Sequence, residues 1–419
     1  MENTEIITAR NLVSILTEGA AVHREQSRKL AEILLKICKG ETQDYQIRNR
    51  QKLLQVAQDW DIPIKNRNDL EIANDIGQTA LAEFDKENNE LLSLKKAPLK
   101  RQELWQRGNI KLKQQSNTDT LQDYRNLLRQ GAEIAIADGW GSSMIANDIH
   151  DIIFNTPTPS LEKIKPDTPE QGEVNYISGF SHESIHYSLG GSFRASYRPL
   201  NDNIINGRIR GVAGVVGCND TPIKHQSNYV SMVKELIKND VLVLATGSSA
   251  TACAKAGLMI PEAIEYAGDG LASVCEAIGI PPVLHLGSCI DNSRILIIAA
   301  AIVKEGGLGD DISDLPIAGA APEEINKEIL SIGQYFVSSG VFTISGVSQA
   351  ALGSEKIAEF LAEDSRNIYG GMWAFEPDPT KAAKLIINHI DQKRKALGID
   401  KTRERILYDM EMRRGLETV

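Results

Sequence analysis

The chain has 419 residues, of which 42% are hydrophobic and 24% are charged, and its formal net charge is −10. These values predict two or three folded domains and exclude wholesale disorder and a disulfide scaffold. Basic residues are mixed with acidic ones in both halves, so no nucleic-acid-binding surface is expected. The longest strongly apolar run, Ile295 to Val303, is too short to cross a bilayer, and the N-terminus lacks the pattern of a signal peptide. We therefore expect a soluble, cytoplasmic protein without a membrane partner.

The first part of the sequence has the apolar periodicity of α-helices. Between Ala9 and Lys39 apolar residues recur three and four positions apart, and Asp69–Phe84 and Thr118–Asp138 repeat this spacing. Residues 156–172, TPTPSLEKIKPDTPEQG, contain four prolines among small and charged residues. This composition is typical of a linker. We predict a helical domain over residues 1–155 and a linker over residues 156–172.

After the linker, short apolar runs alternate with segments of helical length. The runs with strand character are Gly211–Gly217, Val241–Gly247, Pro282–Gly287, Leu315–Gly319, Val341–Gly346 and Met372–Phe375. The helical segments include Tyr229–Lys238, Glu262–Ile278, Asn292–Lys304, Glu323–Ser338 and Ser354–Glu363. This alternation predicts a Rossmann-like, doubly wound parallel sheet over residues 173–396, followed by a terminal helix or tail over 397–419. The predicted fold class is therefore α + α/β.

Three consecutive predicted strands end in similar sequences, GVVGCNDT, LATGSSAT and LHLGSCID. In each of them a glycine is followed by a cysteine or a serine, namely Cys218, Ser248 and Cys289. Ligands of open α/β sheets bind beyond the carboxyl ends of the strands, so these side chains are expected to face one crevice. The alternative interpretation is that a small residue simply suits the turn from a strand into a helix.

The five cysteines are far apart and form no CxxC pair, so a metal site must be assembled from distant loops. Cys253, five residues after Ser248, either brings a thiolate near that position or packs as a small hydrophobic residue. His182 and His186 stand four residues apart on a predicted helix. That spacing can chelate a divalent metal when a third ligand joins, although surface histidines on helices are common.

Several long strings resemble the nickel–iron–sulfur carbon monoxide dehydrogenases. They include ARNLVSILTEGAAVH, VLVLATGSSATACAKAGLM, PPVLHLGSCIDNSRI and YGGMWAFEPDPTKAA. The resemblance covers residues 7–155 and 174–396. It implies a shortened member without the N-terminal cysteine-rich segments and without the family's middle α/β domain, which the linker replaces.

The resemblance also implies an iron–sulfur cluster, which in the family contains nickel and is held by six protein ligands. Cys218 and Cys289 match two of the cysteine ligands. The third ligand of the last domain corresponds to Ser248, whose hard, protonated hydroxyl binds iron and nickel poorly. The other three ligands belong to the absent middle domain. His23 and Lys327 match a histidine and a lysine that stabilise bound carbon dioxide in the family.

Three functions are consistent with these residues. The first is an oxidoreductase resembling carbon monoxide dehydrogenase, which acts on CO, CO2 or another small molecule at a reduced or altered iron–sulfur or nickel centre. It would need an external electron carrier, and the family implies a homodimer. The second is a non-catalytic carrier or sensor that binds a metal or an iron–sulfur cluster, and the third is a metal-free scaffold. The presence of His23 and Lys327 favours the first, because an acid–base pair has little use in a carrier.

Overall fold

The computed structural model describes residues 2–85, 92–115, 124–166, 172–190, 196–217, 226–323, 327–346 and 354–400. The α-helices in these ranges are α1 (Glu2–Lys39), α2 (Arg50–Asp59), α3 (Asp69–Phe84), α4 (Leu99–Gln115), α5 (Tyr124–Ile134), α6 (Ser142–Phe154), α7 (His182–Gly190), α8 (Arg198–Ile205), α9 (Gln226–Lys238), α10 (Gly247–Lys255), α11 (Asp269–Ile278), α12 (Asn292–Glu305), α13 (Lys327–Ser338), α14 (Glu355–Glu359), α15 (Ser365–Tyr369) and α16 (Pro379–Ala396). The strands are β1 (Ser160–Ile164), β2 (Val174–Ser178), β3 (Gly211–Val215), β4 (Val241–Thr246), β5 (Val283–Gly287), β6 (Ile317–Ala321), β7 (Phe342–Ser345) and β8 (Met372–Phe375).

The N-terminal helices pack around α1. Its apolar stripe, including Leu12, Leu16 and Leu34, is buried against α3, α5 and α6, and α1 also contacts α13 of the sheet domain. The predicted helix within Thr118–Asp138 is α5 followed by a π-helical turn, Ala135–Gly141, and residues 116–123 lie outside the described ranges. In the part of the chain that the structure describes, no helix has both the length and the apolar character that a bilayer span requires.

The second half forms a six-stranded parallel sheet in the order β5-β4-β3-β6-β7-β8. All six predicted strands are present, and β3, β4, β6 and β7 are buried along their whole length, as in parallel sheets that helices cover on both faces. The chain runs outward from β3 to β5 and then returns to continue from β6 to β8. The topological switch point therefore lies between β3 and β6, and ligand sites of doubly wound sheets form at the carboxyl ends of strands there.

The structure differs from the sequence prediction in three details. The predicted linker contains β1, which pairs antiparallel with β2 along its whole length, from Ser160 opposite Ser178 to Ile164 opposite Val174. The single helix predicted over Glu262–Ile278 is a 3-10 segment, Pro261–Tyr266, followed by α11. The break falls at Gly268, whose backbone is extended. Finally, Ser354–Glu363 is interrupted by a π-helical turn that begins at Phe360. Residues 401–419 of the predicted tail lie outside the described ranges.

Candidate functional site at the carboxyl ends of the central strands

The ends of β3, β4 and β5 meet at one point. The Ser248 amide donates a hydrogen bond of 2.8 Å to the Gly217 carbonyl, and Cys289 Sγ lies 3.9 Å from the same oxygen. Gly217 immediately precedes Cys218, which itself lies outside the described residues. The fold thus brings Ser248 and Cys289 together beside Gly217, although the two side chains are forty-one positions apart in the sequence.

Gly247 makes this close approach possible. Its φ is +58°, and a Cβ atom at this position would lie 2.6 Å from the Gly217 carbonyl oxygen and 2.9 Å from Cys289 Sγ. Glycine adopts this left-handed conformation readily and has no side chain to fill the gap. The glycine of LATGSS is therefore required where β4 passes directly into α10.

Cys289 lies in a short turn between β5 and α12. A capping box closes this turn: the Ser288 amide and hydroxyl both donate to Asp291 Oδ2, at 2.8 and 3.1 Å. Cys289 is half-buried. Because metals bind the thiolate and not the thiol, Cys289 would act as a ligand in its deprotonated form.

His23 lies on α1 and is only 2% exposed. Its ring meets the Tyr335 ring edge-on, with 6.5 Å between the ring centroids, and neither imidazole nitrogen has a hydrogen-bond partner among the described residues. Burial lowers the pKa of His23 to about 4. The imidazole is therefore neutral at pH 7 and is a weaker base than an exposed histidine.

Tyr335 and Asn292 connect His23 with the strand ends. The buried Tyr335 hydroxyl faces the Asn292 side chain, whose Oδ1 accepts a hydrogen bond from the Thr246 hydroxyl at the end of β4. Neither the Tyr335 hydroxyl nor Asn292 Nδ2 has a well-aligned partner in the described ranges. An unsatisfied buried polar group costs about 1–3 kcal/mol, so these atoms fit a site that holds water or a small polar molecule. Neither residue is a predicted site residue, although Asn292 directly follows the turn that contains Cys289.

Lys327 is the first residue of α13, but its side chain lies outside what the structure describes. Glu323, which is not among the predicted site residues, is buried just beyond the end of β6 on the other side of the switch point. Burial raises the pKa of Glu323 to about 7, and its backbone carbonyl accepts a hydrogen bond of 3.2 Å from the Tyr229 hydroxyl, which in turn lies against Gly217. A carboxyl group directly after a buried strand is the signal that could have identified it.

The weaker metal-ligand candidates have other contacts. His182 Nδ1 lies 3.2 Å from Arg294 Nη1, and the His186 ring packs against the Tyr197 ring with 4.9 Å between the centroids. Cys253 is fully buried in the core of the sheet domain, and burial raises the pKa of its thiol to about 12. These contacts favour a structural role over metal binding for His182, His186 and Cys253.

The described donor atoms do not fit a complete nickel–iron–sulfur cluster. No three His, Cys, Asp or Glu side chains in the described ranges are arranged to hold one metal ion. At the strand ends Cys289 offers one sulfur, and Ser248 offers a hydroxyl in place of a thiolate. A metal centre here would need further donors from outside the described residues.

Comparison with known proteins identifies the relatives of this chain. The sequence profile of the Prismane/CO dehydrogenase family matches residues 2–190 and 168–380. Carbon monoxide dehydrogenase 1 of Methanosarcina mazei is 31% identical over 555 residues, which cover 94% of this chain and 87% of the relative. Because that alignment is longer than the whole chain, the relative contains segments without a counterpart here. Carbon monoxide dehydrogenase 1 of Carboxydothermus hydrogenoformans is 41% identical over 233 residues, which cover 53% of this chain and 36% of the relative.

Solved structures agree with these sequence matches. The nickel-free crystal structure of carbon monoxide dehydrogenase from Thermococcus sp. AM4 has a TM-score of 0.84 and 30% identity, covering 94% of this chain and 87% of that one. Carbon monoxide dehydrogenase IV from Carboxydothermus hydrogenoformans has a TM-score of 0.85 and 28% identity, covering 94% and 89%. The chain belongs to the Prismane/CO dehydrogenase family.

Proposed function

We propose that this chain is a carbon monoxide dehydrogenase-like oxidoreductase that acts on CO, CO2 or a molecule of similar size at a reduced or altered iron–sulfur centre, with or without nickel. The observation that carries the proposal is the meeting of Cys289 and Ser248 beside Gly217, at the switch point of the sheet, in a member of this family. Cys218 and Cys289 are the proposed metal ligands. A homodimer and an external electron carrier complete the proposal.

The buried acid–base groups support redox chemistry on a small molecule. Oxidation of CO by water to CO2 releases protons as well as electrons, so the site needs proton acceptors. Glu323, whose pKa burial raises to about 7, can accept a proton in its deprotonated form, and the neutral His23, with a pKa of about 4, is a weaker base that can hydrogen-bond the reacting molecule. In this proposal the ammonium group of Lys327 stabilises the developing carboxylate by its charge.

A second candidate function is a non-catalytic carrier or sensor of a metal or an iron–sulfur cluster. A centre held mainly by Cys218 and Cys289 would have few protein ligands, because the described part of the chain has no set of three metal-binding side chains. A centre with few protein ligands exchanges its metal more readily than a fully enclosed one. A metal-free scaffold is the third possibility.

Metal analysis under anaerobic, reducing conditions tests the proposal. We would measure iron, nickel and acid-labile sulfide in the wild type, in Cys218→Ala/Cys289→Ala, and in Ser248→Cys. We expect iron and sulfide in the wild type, their loss in the double variant, and a higher content in Ser248→Cys, which restores a third thiol. Ser249→Cys is the matched control, because Ser249 is buried and its hydroxyl lies near Cys253 instead.

Activity assays then distinguish the candidates. CO-dependent reduction of an artificial electron acceptor by the metal-containing protein supports the oxidoreductase. Bound iron and sulfide without such activity, together with transfer of the metal to a chelating acceptor protein, overturns it in favour of the carrier. A folded protein with no metal above background ends both proposals and leaves the scaffold.

A further inference from the structure

Arg294, on α12, is completely buried and binds carboxylates from three parts of the molecule. Its Nη2 lies 2.9 Å from Asp151 on α6, its Nη1 lies 3.3 Å from Glu183 on α7, and its Nε lies 2.8 Å from Asp291 in the turn after β5. Burial alone would lower the pKa of Arg294, but the three carboxylates raise it. The guanidinium therefore stays charged and joins the helical domain, α7 and the sheet domain.

Asp291 connects this guanidinium to the Cys289 turn. One carboxylate oxygen, Oδ1, accepts from Arg294, and the other, Oδ2, accepts from the Ser288 amide and hydroxyl. The turn also passes so close to Asp291 Oδ2 that a side chain at Gly287 would overlap it. Residues 287–291, with Cys289 at their centre, thus surround one oxygen of the Asp291 carboxylate. Arg294 binds the other oxygen.

Glu183 links the helical domain to the same guanidinium, because it contacts both Lys52 and Arg294. Its Oε1 lies 2.9 Å from Lys52 Nζ on α2, and its Oε2 faces Arg294. Lys52 in turn lies 3.3 Å from Asp148 on α6. The carboxylate of Glu183 therefore bridges a cation of the helical domain and the cation that orients the Cys289 turn.

We propose that Arg294 is a positioning residue that sets the geometry of Cys289 according to how α6 and α7 pack against α12. A planar guanidinium holds its carboxylate partners in fixed directions, whereas the donors of a lysine ammonium rotate freely at the end of a flexible stem. The role concerns side chains of this chain alone. It therefore holds whether or not the proposed redox activity does.

The rate of alkylation of Cys289 tests the proposal without any metal. The protein is first reduced, then treated with iodoacetamide, and the peptide that contains Cys289 is followed by mass spectrometry. We expect Arg294→Gln to raise the alkylation rate about tenfold, because local opening of the turn becomes easier, and Arg294→Lys to have an intermediate effect. The matched control is Arg101→Gln. Arg101 is another buried arginine that joins the helical domain to the sheet domain, through Asp311, but it does not contact the Cys289 turn.

A double-mutant cycle tests whether Glu183 acts through Arg294. We expect Glu183→Gln to raise the alkylation rate of Cys289 in the wild type and to have a smaller effect in Arg294→Lys. Both of these variants keep most of the network, so they remain informative if Arg294→Gln does not fold. The proposal is overturned if the Arg294 variants react no faster than Arg101→Gln, or if the effects of Glu183→Gln and Arg294→Lys simply multiply. A protein that binds no metal contradicts the proposed function but leaves this test decisive.

Discussion

At the scale of single residues, burial shifts the pKa values of common side chains such as histidine and glutamate. His23 is a histidine on a long helix, and nothing adjacent to it in the sequence perturbs it. In the fold it lies on the face of α1 that packs beside Tyr335 of α13, and it has no described hydrogen-bond partner. Desolvation disfavours the charged imidazolium, so the neutral form persists to acidic pH. Glu323 experiences the same effect in the opposite direction, because its charged form is the deprotonated one.

The first prediction concerns the pH dependence of stability. The pKa of His23 is about 4 in the folded protein and close to 6.5 in the unfolded chain. The unfolded state therefore binds more protons below pH 6.5, and the free energy of unfolding falls as the pH drops from 6.5 toward 4, by about 3 kcal/mol from this group. Urea titrations of the wild type and of His23→Gln across this range measure the effect.

His182 and His389 also have pKa values lowered to about 3 by burial, so only the difference between wild type and variant isolates His23. We expect the two stability curves to converge as the pH falls. Curves that stay parallel from pH 7 to pH 4.5 would contradict the neutral, desolvated state of His23. His186→Gln, at a half-buried histidine that packs on Tyr197, is the matched control.

At the scale of elements, the parallel sheet determines which loops become neighbours. Because β5, β4 and β3 are adjacent and run in the same direction, the residues that follow them share one edge. Their separation is then set by the strand spacing, and only glycine at position 247 leaves room for Cys289. The glycine in the local sequence TGSS therefore has two roles. It allows β4 to turn into α10, and it leaves space for Cys289 to pack against the turn.

The second prediction concerns Gly247. Gly247→Ala adds a Cβ atom within 2.9 Å of Cys289 Sγ and 2.6 Å of the Gly217 carbonyl oxygen, at a φ of +58°. We expect a loss of about 2–4 kcal/mol in the free energy of unfolding, from the strained backbone and the overlap together. Gly257→Ala separates the two effects, since Gly257 has a φ of +68° but nothing within 4 Å of the added atom. Equal losses in the two variants would mean that the contact between strand ends is unimportant.

At the scale of the whole molecule, a buried charge network joins the helical domain to the sheet domain. Lys52 and Lys96 contact Asp148, and Lys52 also contacts Glu183, which lies beside Arg294. Burial alone would lower the pKa of Lys52, but the surrounding carboxylates raise it. Such a network is specific in geometry, and removing one member leaves its partners buried and unpaired.

The third prediction compares a buried ion pair with an exposed one across this interface. Lys52 is 12% exposed, and we expect Lys52→Met to cost about 3–5 kcal/mol, with little dependence on salt. Lys100 pairs with Asp310 at 3.2 Å, but these side chains are 61% and 82% exposed. Lys100→Met should therefore cost less than about 1 kcal/mol. Denaturant titrations at low and high salt measure both, and similar losses would contradict a buried interdomain network.

Much of the fold could be predicted from the sequence, because buried parallel strands are continuous apolar runs and their helices carry a three- and four-residue period. The prediction of six strands in the second half is confirmed, and so is the helical first half. The break at Gly268 and the pairing of β1 with β2 were not predicted. The first depends on a close contact with Asp240 and the second on a partner strand that follows the prolines.

The sequence by itself determined the family resemblance, the strand–helix alternation and the small residues at three strand ends, because these are recorded in local order and spacing. Only the tertiary structure decided which side chains surround the site. Tyr335 and Asn292 reach His23 and Thr246 from distant segments, and Arg294 meets Asp151 and Glu183 from two others. Burial, pKa and ion pairing depend on neighbours in space, and periodicity along the chain contains no record of which helix covers which side chain.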